Sequence, residues 1–326
     1  MRRAWLAALA AFALFACERD DATHELALNW KPEPEFGGIF EAERLGAFEK
    51  RGLSVERTGG PGAPVVQMVT AKQVTFGIAS ADEVVLARDR GSDVVAVFAT
   101  YQTCPQGLMT HVARGIDTLA ALLAAPGTLA VEPGLPYVKF LEQRYGFGAL
   151  RVVPYTYSIT PFLRDPSFTQ QVFVTAEPIA ARRAGAEPKV FLVADSGYDP
   201  YTAVVITHGD TLRSDAARVA RFVEALREGW ASYLADPAPA NARMGPLNPE
   251  MDAEAFRLAA EAQRPLIEVA NGAVGSMTEE RWAELAEQLT ALGLVKEAQP
   301  PERYFANPES LRAAGAPHGR DGSRRR

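Results

Sequence analysis

The 326-residue sequence is 48% hydrophobic and 23% charged, with 34 Lys and Arg against 40 Asp and Glu for a formal net charge of −6. That composition belongs to an ordinary globular chain with material for two domains, and it excludes disulfide scaffolds, collagen-like chains and disordered polyelectrolytes. It also argues against nucleic acid as a partner, because phosphate binding needs a basic surface and the only strongly basic stretch is the last few residues.

Residues 1–16, MRRAWLAALAAFALFA, place two arginines before an apolar run too short to span a bilayer, the pattern of a secretory signal, with an uncleaved anchor as the alternative. Leu14, Phe15, Ala16 and Cys17 resemble the bacterial lipobox, although Phe15 replaces the small or branched residue usual there. The resemblance implies that Cys17 is lipidated and becomes the first mature residue, with residues 17–24 as a polar tether at the periplasmic side of a membrane. Cys104 is then the one other cysteine and has no intramolecular partner. The four histidines (His24, His111, His208 and His318) show no metal-ligand spacing, so no metal is expected.

Residues 25–30 read as a first strand running into a Pro-rich loop. Gly37 and Gly38 open a helical stretch, with Phe40, Arg44, Leu45 and Phe48 at helix spacing before Arg51 and Gly52 stop it. Alternation over 53–58 predicts a second strand, 65–71 a short helix and 74–78 a third strand. Ser80 to Glu83 match a capping box at the start of a helix over 84–90. The almost wholly apolar run 93–101 predicts a strand buried on both faces. Such a βαβαβαβ series implies a mostly parallel sheet.

Residues 102–107 break this pattern and a strand restarts over 107–112, as where a chain passes from one lobe to another. A helix over 119–124, a strand over 128–131, a helix over 137–145, a strand over 150–155, a short run to Phe173 and a strand over 190–194 complete a second α/β unit. Residues 196–201 form the return crossing into a strand over 202–207. The remainder is helical, with Ser214 as a cap and a stripe of Val219, Phe222, Val223, Leu226, Trp230, Tyr233 and Leu234 at 3.6-residue period. After a Pro-rich break come a helix from Ala253 and one opened by a capping box at Ser276 to Glu279, with Trp282, Leu285, Leu289 and Leu292 on its apolar face. Lobe 1 therefore takes residues 25–102 and 202–308, lobe 2 takes residues 103–201, and residues 309–326 form a disordered tail.

The segments LNWKPEPEFGGIFEA (28–42) and LGAFEKRGLSV (45–55), then FGIASADE (76–83) and LARDRGSDVVAV (86–97), are similar to the NMT1/THI5-like substrate-binding proteins of ABC transporters. The resemblance is strong over the first hundred residues and looser to about residue 300. It implies an α/β type II periplasmic-binding-protein fold, two α/β lobes joined by two crossings with a helical C-terminal extension. It also implies a monomeric solute receptor without a cofactor that delivers a planar, thiamine-pyrimidine-like ligand to an ABC permease and ATPase. Alternatives are a pyrimidine-synthesising enzyme like the eukaryotic members, which use a cysteine-rich iron-binding motif and an active-site histidine, or a lipid-anchored sensing module. The sequence has no cysteine cluster and no histidine in the corresponding loop.

Asn29 and Trp30 match the family's Asn/Asp-Trp pair at the end of the first strand, where open α/β sheets bind ligands. An indole there stacks on a planar ring or serves as a rim residue. Phe36 stands where many relatives carry a histidine, and offers packing without a ring nitrogen. Ser80 and Asp82 lie at a strand-to-helix turn, with plain capping as the other role of Ser80. Pro136 and Tyr137 form the matching turn of lobe 2. Tyr157, Tyr198 and Tyr201 lie near strand ends or the crossing, where core packing competes with ligand contact. Glu177 corresponds to a position from which relatives read the ligand, or is a solvated carboxylate.

Overall fold

The computed structural model describes residues 22–268 and 273–307. The signal segment, Cys17 and the tail over 309–326 lie outside the described residues. The first lobe begins with β1 (Thr23–Leu28), α1 (Gly37–Arg44), β2 (Ser54–Gly59), α2 (Val65–Thr70), β3 (Phe76–Ala79), α3 (Ala81–Asp89) and β4 (Val94–Tyr101). The second comprises β5 (Gln106–His111), α4 (Leu119–Ala124), β6 (Gly127–Val131), α5 (Pro136–Tyr145), β7 (Leu150–Pro154), α6 (Thr160–Arg164), β8 (Phe168–Phe173), α7 (Glu177–Arg183) and β9 (Pro188–Leu192). The chain then returns through β10 (Thr202–His208), α8 (Gly209–Ser214), α9 (Ala216–Ala235), α10 (Ala238–Met244), α11 (Ala253–Ile267) and α12 (Glu279–Ala291).

Two five-stranded sheets result, ordered β2-β1-β3-β10-β4 and β7-β6-β8-β5-β9. β1 pairs in parallel with β2 and β3, and β6 with β7 and β8. β10 is antiparallel to both β3 and β4, and β5 to both β8 and β9. The mostly parallel expectation for the first sheet holds, since β1 to β4 run the same way and β10 is its one antiparallel strand; β5 has that place in the second sheet. β4 leaves the first lobe at the edge where β10 re-enters it, so the two neighbours must run in opposite directions.

The all-apolar β4 is buried along its whole length, and the α9 stripe from Val219 to Leu234 faces the core with Trp230 1% exposed. α1 crosses α9 at backbone contact: a Cβ on Gly38 would sit 2.3 Å from the Trp230 ring, and one on Gly37 would sit 2.2 Å from the Tyr233 ring. The two glycines open α1 as expected, and their lack of a side chain also permits this close approach. Trp282 is wholly buried beneath α12.

Several local expectations change. β1 begins at Thr23, so residues 23 and 24 belong to the sheet rather than to a tether, and His24 is buried. Asp215, not Ser214, caps α9 by accepting the Arg218 amide at 2.8 Å, and Thr278, not Ser276, caps α12. The run before Phe173 holds α6 and β8, and α7 follows it. α6 and α7 start at a proline in the first turn and are too short to show a helical period. The capping box at Ser80 does form, with the Ser80 amide donating to Glu83 at 2.8 Å.

The crossings at 102–105 and 193–201 run side by side. The Cys104 amide donates to Asp199 Oδ1 at 2.7 Å, and Arg281 of α12 donates to the Gln102 carbonyl at 2.5 Å and the Asp199 carbonyl at 2.6 Å. The same guanidinium pairs with Asp199 Oδ2 at 3.2 Å and lies 3.8 Å from the Tyr201 ring. Arg281→Ala should therefore destabilise the protein by about 1.5–3 kcal/mol, the range for hydrogen bonds to a charged group. Chemical denaturation should show the loss, and small-angle scattering should show a wider spread of lobe separations than in the wild type.

Candidate functional site

A cavity of about 240 Å³ lies between the lobes at the ends of their strands. Lobe 1 contributes Asn29 after β1, Glu35, Ala79 at the end of β3, Ser80, Asp82, Glu83 and Leu86 from the cap and first turns of α3, and Thr202 and Ala203 at the start of β10. Lobe 2 contributes Gln106 of β5, Leu135 to Tyr137 at the start of α5, and Phe173 at the end of β8. Strand ends carry unpaired backbone groups and diverging loops, so ligand sites of open sheets collect there.

The lining is acidic, and no lysine or arginine is part of it among the described residues. Burial, reinforced by the neighbouring Glu33, pushes the Glu35 carboxyl up to about 8. Burial also raises Glu33 to about 7, against the pull of the Trp30 indole N–H and Lys31. Asp82 is 7% exposed; burial raises it too, although Ser80 Oγ donates to its Oδ1 and Tyr198 donates to its Oδ2 at 3.3 Å. Both helix N-termini at the cleft are poor anion receptors. At α3 the Ser80 amide already donates to Glu83, the Glu83 amide to Asp82 and the Ala81 amide to the Tyr201 carbonyl, and α5 starts with Pro136, which has no N–H. Asn29 Oδ1 is buried in the cavity wall without a hydrogen-bond partner among the described residues. An orphaned acceptor there costs about 1–3 kcal/mol unless a guest donates to it.

The structure brings Asn29, Ser80, Asp82, Pro136 and Tyr137 together around this cavity. Trp30 stands at the mouth instead. Its Nε1 donates to Glu33 at 3.2 Å, and its ring centroid lies 6.1 Å from that of the exposed Tyr157 on the other lobe. Glu177 is beside the cleft but engaged, accepting from Tyr155 Oη and the Phe173 amide, each at 2.8 Å. Tyr198 forms a layer behind the wall, wholly buried against Asp82 and Phe140.

Two candidates are corrected. Phe36 is wholly buried in the core of lobe 1, because the turn over 34–36 directs it inward and leaves the adjacent Glu35 at the cavity. Tyr201 is 2% exposed and belongs to the hinge, where its hydroxyl accepts the Thr278 amide at 3.0 Å and its ring faces Arg281. Sequence inspection missed Glu35, Gln106, Phe173 and Thr202. Glu35 lies inside the recognised 28–42 segment, so proximity to Asn29 was an available signal; the others depend on how the crossings fold.

A family model described as NMT1/THI5 like matches residues 33–240. No curated protein sequence matches the chain. The periplasmic aliphatic sulphonate binding protein SsuA of Escherichia coli is similar in structure with TM-score 0.69, 12% identity, and coverage of 87% of this chain and 92% of its own. The alkanesulfonate-binding protein SsuA of Xanthomonas axonopodis pv. citri, bound to MOPS, has TM-score 0.65, 11% identity, and coverage of 88% and 98%. The desulfurization enzyme DSZB has TM-score 0.62, 12% identity, and coverage of 90% and 100%. At such identities the likeness is one of fold, the two-lobed α/β fold of periplasmic binding proteins.

Glu33 and Glu35 hold protons at pH values where an unfolded glutamate, near 4.5, has lost them. Their contribution to stability is fully present below pH 4.5 and is lost as the pH rises through about 7 for Glu33 and about 8 for Glu35. Glu35→Gln fixes the neutral form, so its melting temperature relative to wild type should rise between pH 5 and pH 9. A difference that stays flat across thermal melts at several pH values would contradict the buried, protonated carboxyl.

Proposed function

The chain belongs to the NMT1/THI5-like family, and from that premise we propose that it is the non-catalytic solute-binding component of an ABC importer. In this role it binds a small planar heterocycle bearing amino donors, of the thiamine-pyrimidine type, and passes it to a permease and ATPase. The observation that supports this ligand class best is the unpartnered Asn29 Oδ1 in a cavity whose charged groups are all carboxyl groups. A heterocycle with exocyclic amines donates to Asn29 and to the carboxyls of Glu35 and Asp82, while Tyr137 and Phe173 supply apolar and aromatic walls. A sulfonate, the class named for the SsuA structures, would meet carboxyls and no counter-charge in this cavity.

The receptor reading also draws on the hinge between the lobes. Trp30 and Tyr157 face each other across the mouth, and Arg183 of α7 pairs with Asp252 before α11 at 2.5 Å, so closure over a ligand has contacts ready on both sides. Delivery from outside the cytoplasm accords with the secretory signal pattern, and anchoring is assigned to Cys17. No helix of the described residues is long and apolar enough to cross a membrane.

Native mass spectrometry of freshly purified protein should reveal a co-purifying heterocyclic amine, recovered chemically unchanged. Asn29→Ala should weaken its binding by about 1–2 kcal/mol, roughly tenfold, while Trp30→Ala should cost about 1 kcal/mol and abolish most of the fluorescence response. A cognate sulfonate, or turnover of the bound compound, would overturn the assignment. Separately, metabolic labelling with a fatty acid should mark the wild type and not Cys17→Ser; equal labelling of both would remove the lipid anchor.

A further inference from the structure

At the opposite edge of the first sheet a second cavity, of about 300 Å³, is lined by Arg88, Gly91, Ser92, Asp93, Arg213 and Arg303. Three guanidinium groups thus face one carboxylate. Arg88, in the last turn of α3, is only 6% exposed; its Nη1 donates to Asp93 Oδ1 at 3.1 Å and to the Val94 carbonyl at 2.8 Å, and its buried Nε has no acceptor. Arg213 of α8 pairs with Asp93 Oδ2 at 2.7 Å and also with Asp210, which Lys72 approaches at 2.5 Å. Arg303, exposed in the turn over 301–303, makes no side-chain hydrogen bond among the described residues.

We propose that this cavity is a binding site for a phosphate group, as free phosphate, a phosphomonoester or a phospholipid head group. Guanidinium groups offer forked N–H donors matched to phosphate oxygens. The cavity has such donors to spare: among the described residues, one arginine is buried with an unmet N–H and another is unpaired. A metal ion is the wrong guest. Asp93, His208 and Asp210 can bring ligand atoms within 4.8 Å of one another, but both carboxylates are already engaged by Arg88, Arg213 and Lys72.

The position of the cavity supports the lipid source. β1 runs parallel to β3, β3 opposite to β10 and β10 opposite to β4, so Thr23 at the start of β1 and Val94 at the start of β4 lie at the same edge. A chain tied to a membrane through Cys17, six residues before Thr23, holds this edge next to the head groups. That source depends on the anchor assigned above; the phosphate site itself does not.

Calorimetric titration of the purified chain with inorganic phosphate, and separately with glycerophosphoglycerol, a soluble phosphodiester head group, tests the site. At least one probe should bind below roughly 10 mM, and Arg303→Ala and the double variant Arg213→Ala/Arg303→Ala should each weaken it about tenfold or more. Both changes are at exposed side chains, so the fold and the Trp30 response to the cleft ligand should persist. Binding of the diester at least as strongly as phosphate indicates a lipid head group, and binding of phosphate alone a soluble phosphate. If neither probe binds, or if both variants bind as the wild type does, the site does not exist, whatever the cleft binds.

Discussion

One guanidinium, that of Arg281, holds the two crossings to each other and to the helical extension. It takes the Gln102 carbonyl from the outgoing strand and the Asp199 carbonyl and carboxylate from the returning one, and it covers the Tyr201 ring. Because Asp199 also accepts the Cys104 amide, the crossings behave as a pair rather than as two independent linkers. Part of the cleft lining is placed by that pair. Gln106 and Thr202 lie immediately beyond it, and Ala81, the first residue of α3, donates its amide to the Tyr201 carbonyl at 2.9 Å. Cys104 is enclosed at the same junction, and burial pushes its thiol up to about 12, so it is a small core residue rather than a nucleophile.

The cleft concentrates acidic groups that desolvation disfavours. Glu33, Glu35, Asp82 and Glu177 are all raised by burial, so ionising them in the folded protein costs free energy. The far edge of lobe 1 has the opposite character, with arginines in excess of carboxylates. A chain of net charge −6 thus separates its charges into an acidic cleft and a basic edge.

The sequence was most informative where a local rule carries the information. The apolar run of β4, the period of α9 and the Ser80 to Glu83 box each need only residues within one element, and each forms as its pattern implies. The cavity includes Ser80 and Asp82, which their strand-to-helix turn had placed at a strand end, and Asn29, which was placed there by the resemblance over 28–97. The resemblance failed at Phe36, because the direction a side chain takes from a short turn depends on the core it packs against, not on its neighbours in sequence. α6, β8 and α7 escaped notice because elements of five to seven residues are held by tertiary contacts rather than by a period of their own.

Sequence by itself therefore determined the α/β class, the family, the acidic character of the chain and the buried stripes, all of which follow from composition and from patterns within a few turns. Tertiary structure alone decided that β10 and β5 run against their neighbours, that Glu35 faces the cavity between the lobes while Phe36 does not, and that Tyr201 serves the hinge. It alone also gathered Arg88, Arg213 and Arg303, more than two hundred positions apart at the extremes, around one cavity. These features depend on long-range pairing, in which the nearest partner of a residue is chosen by the path of the whole chain.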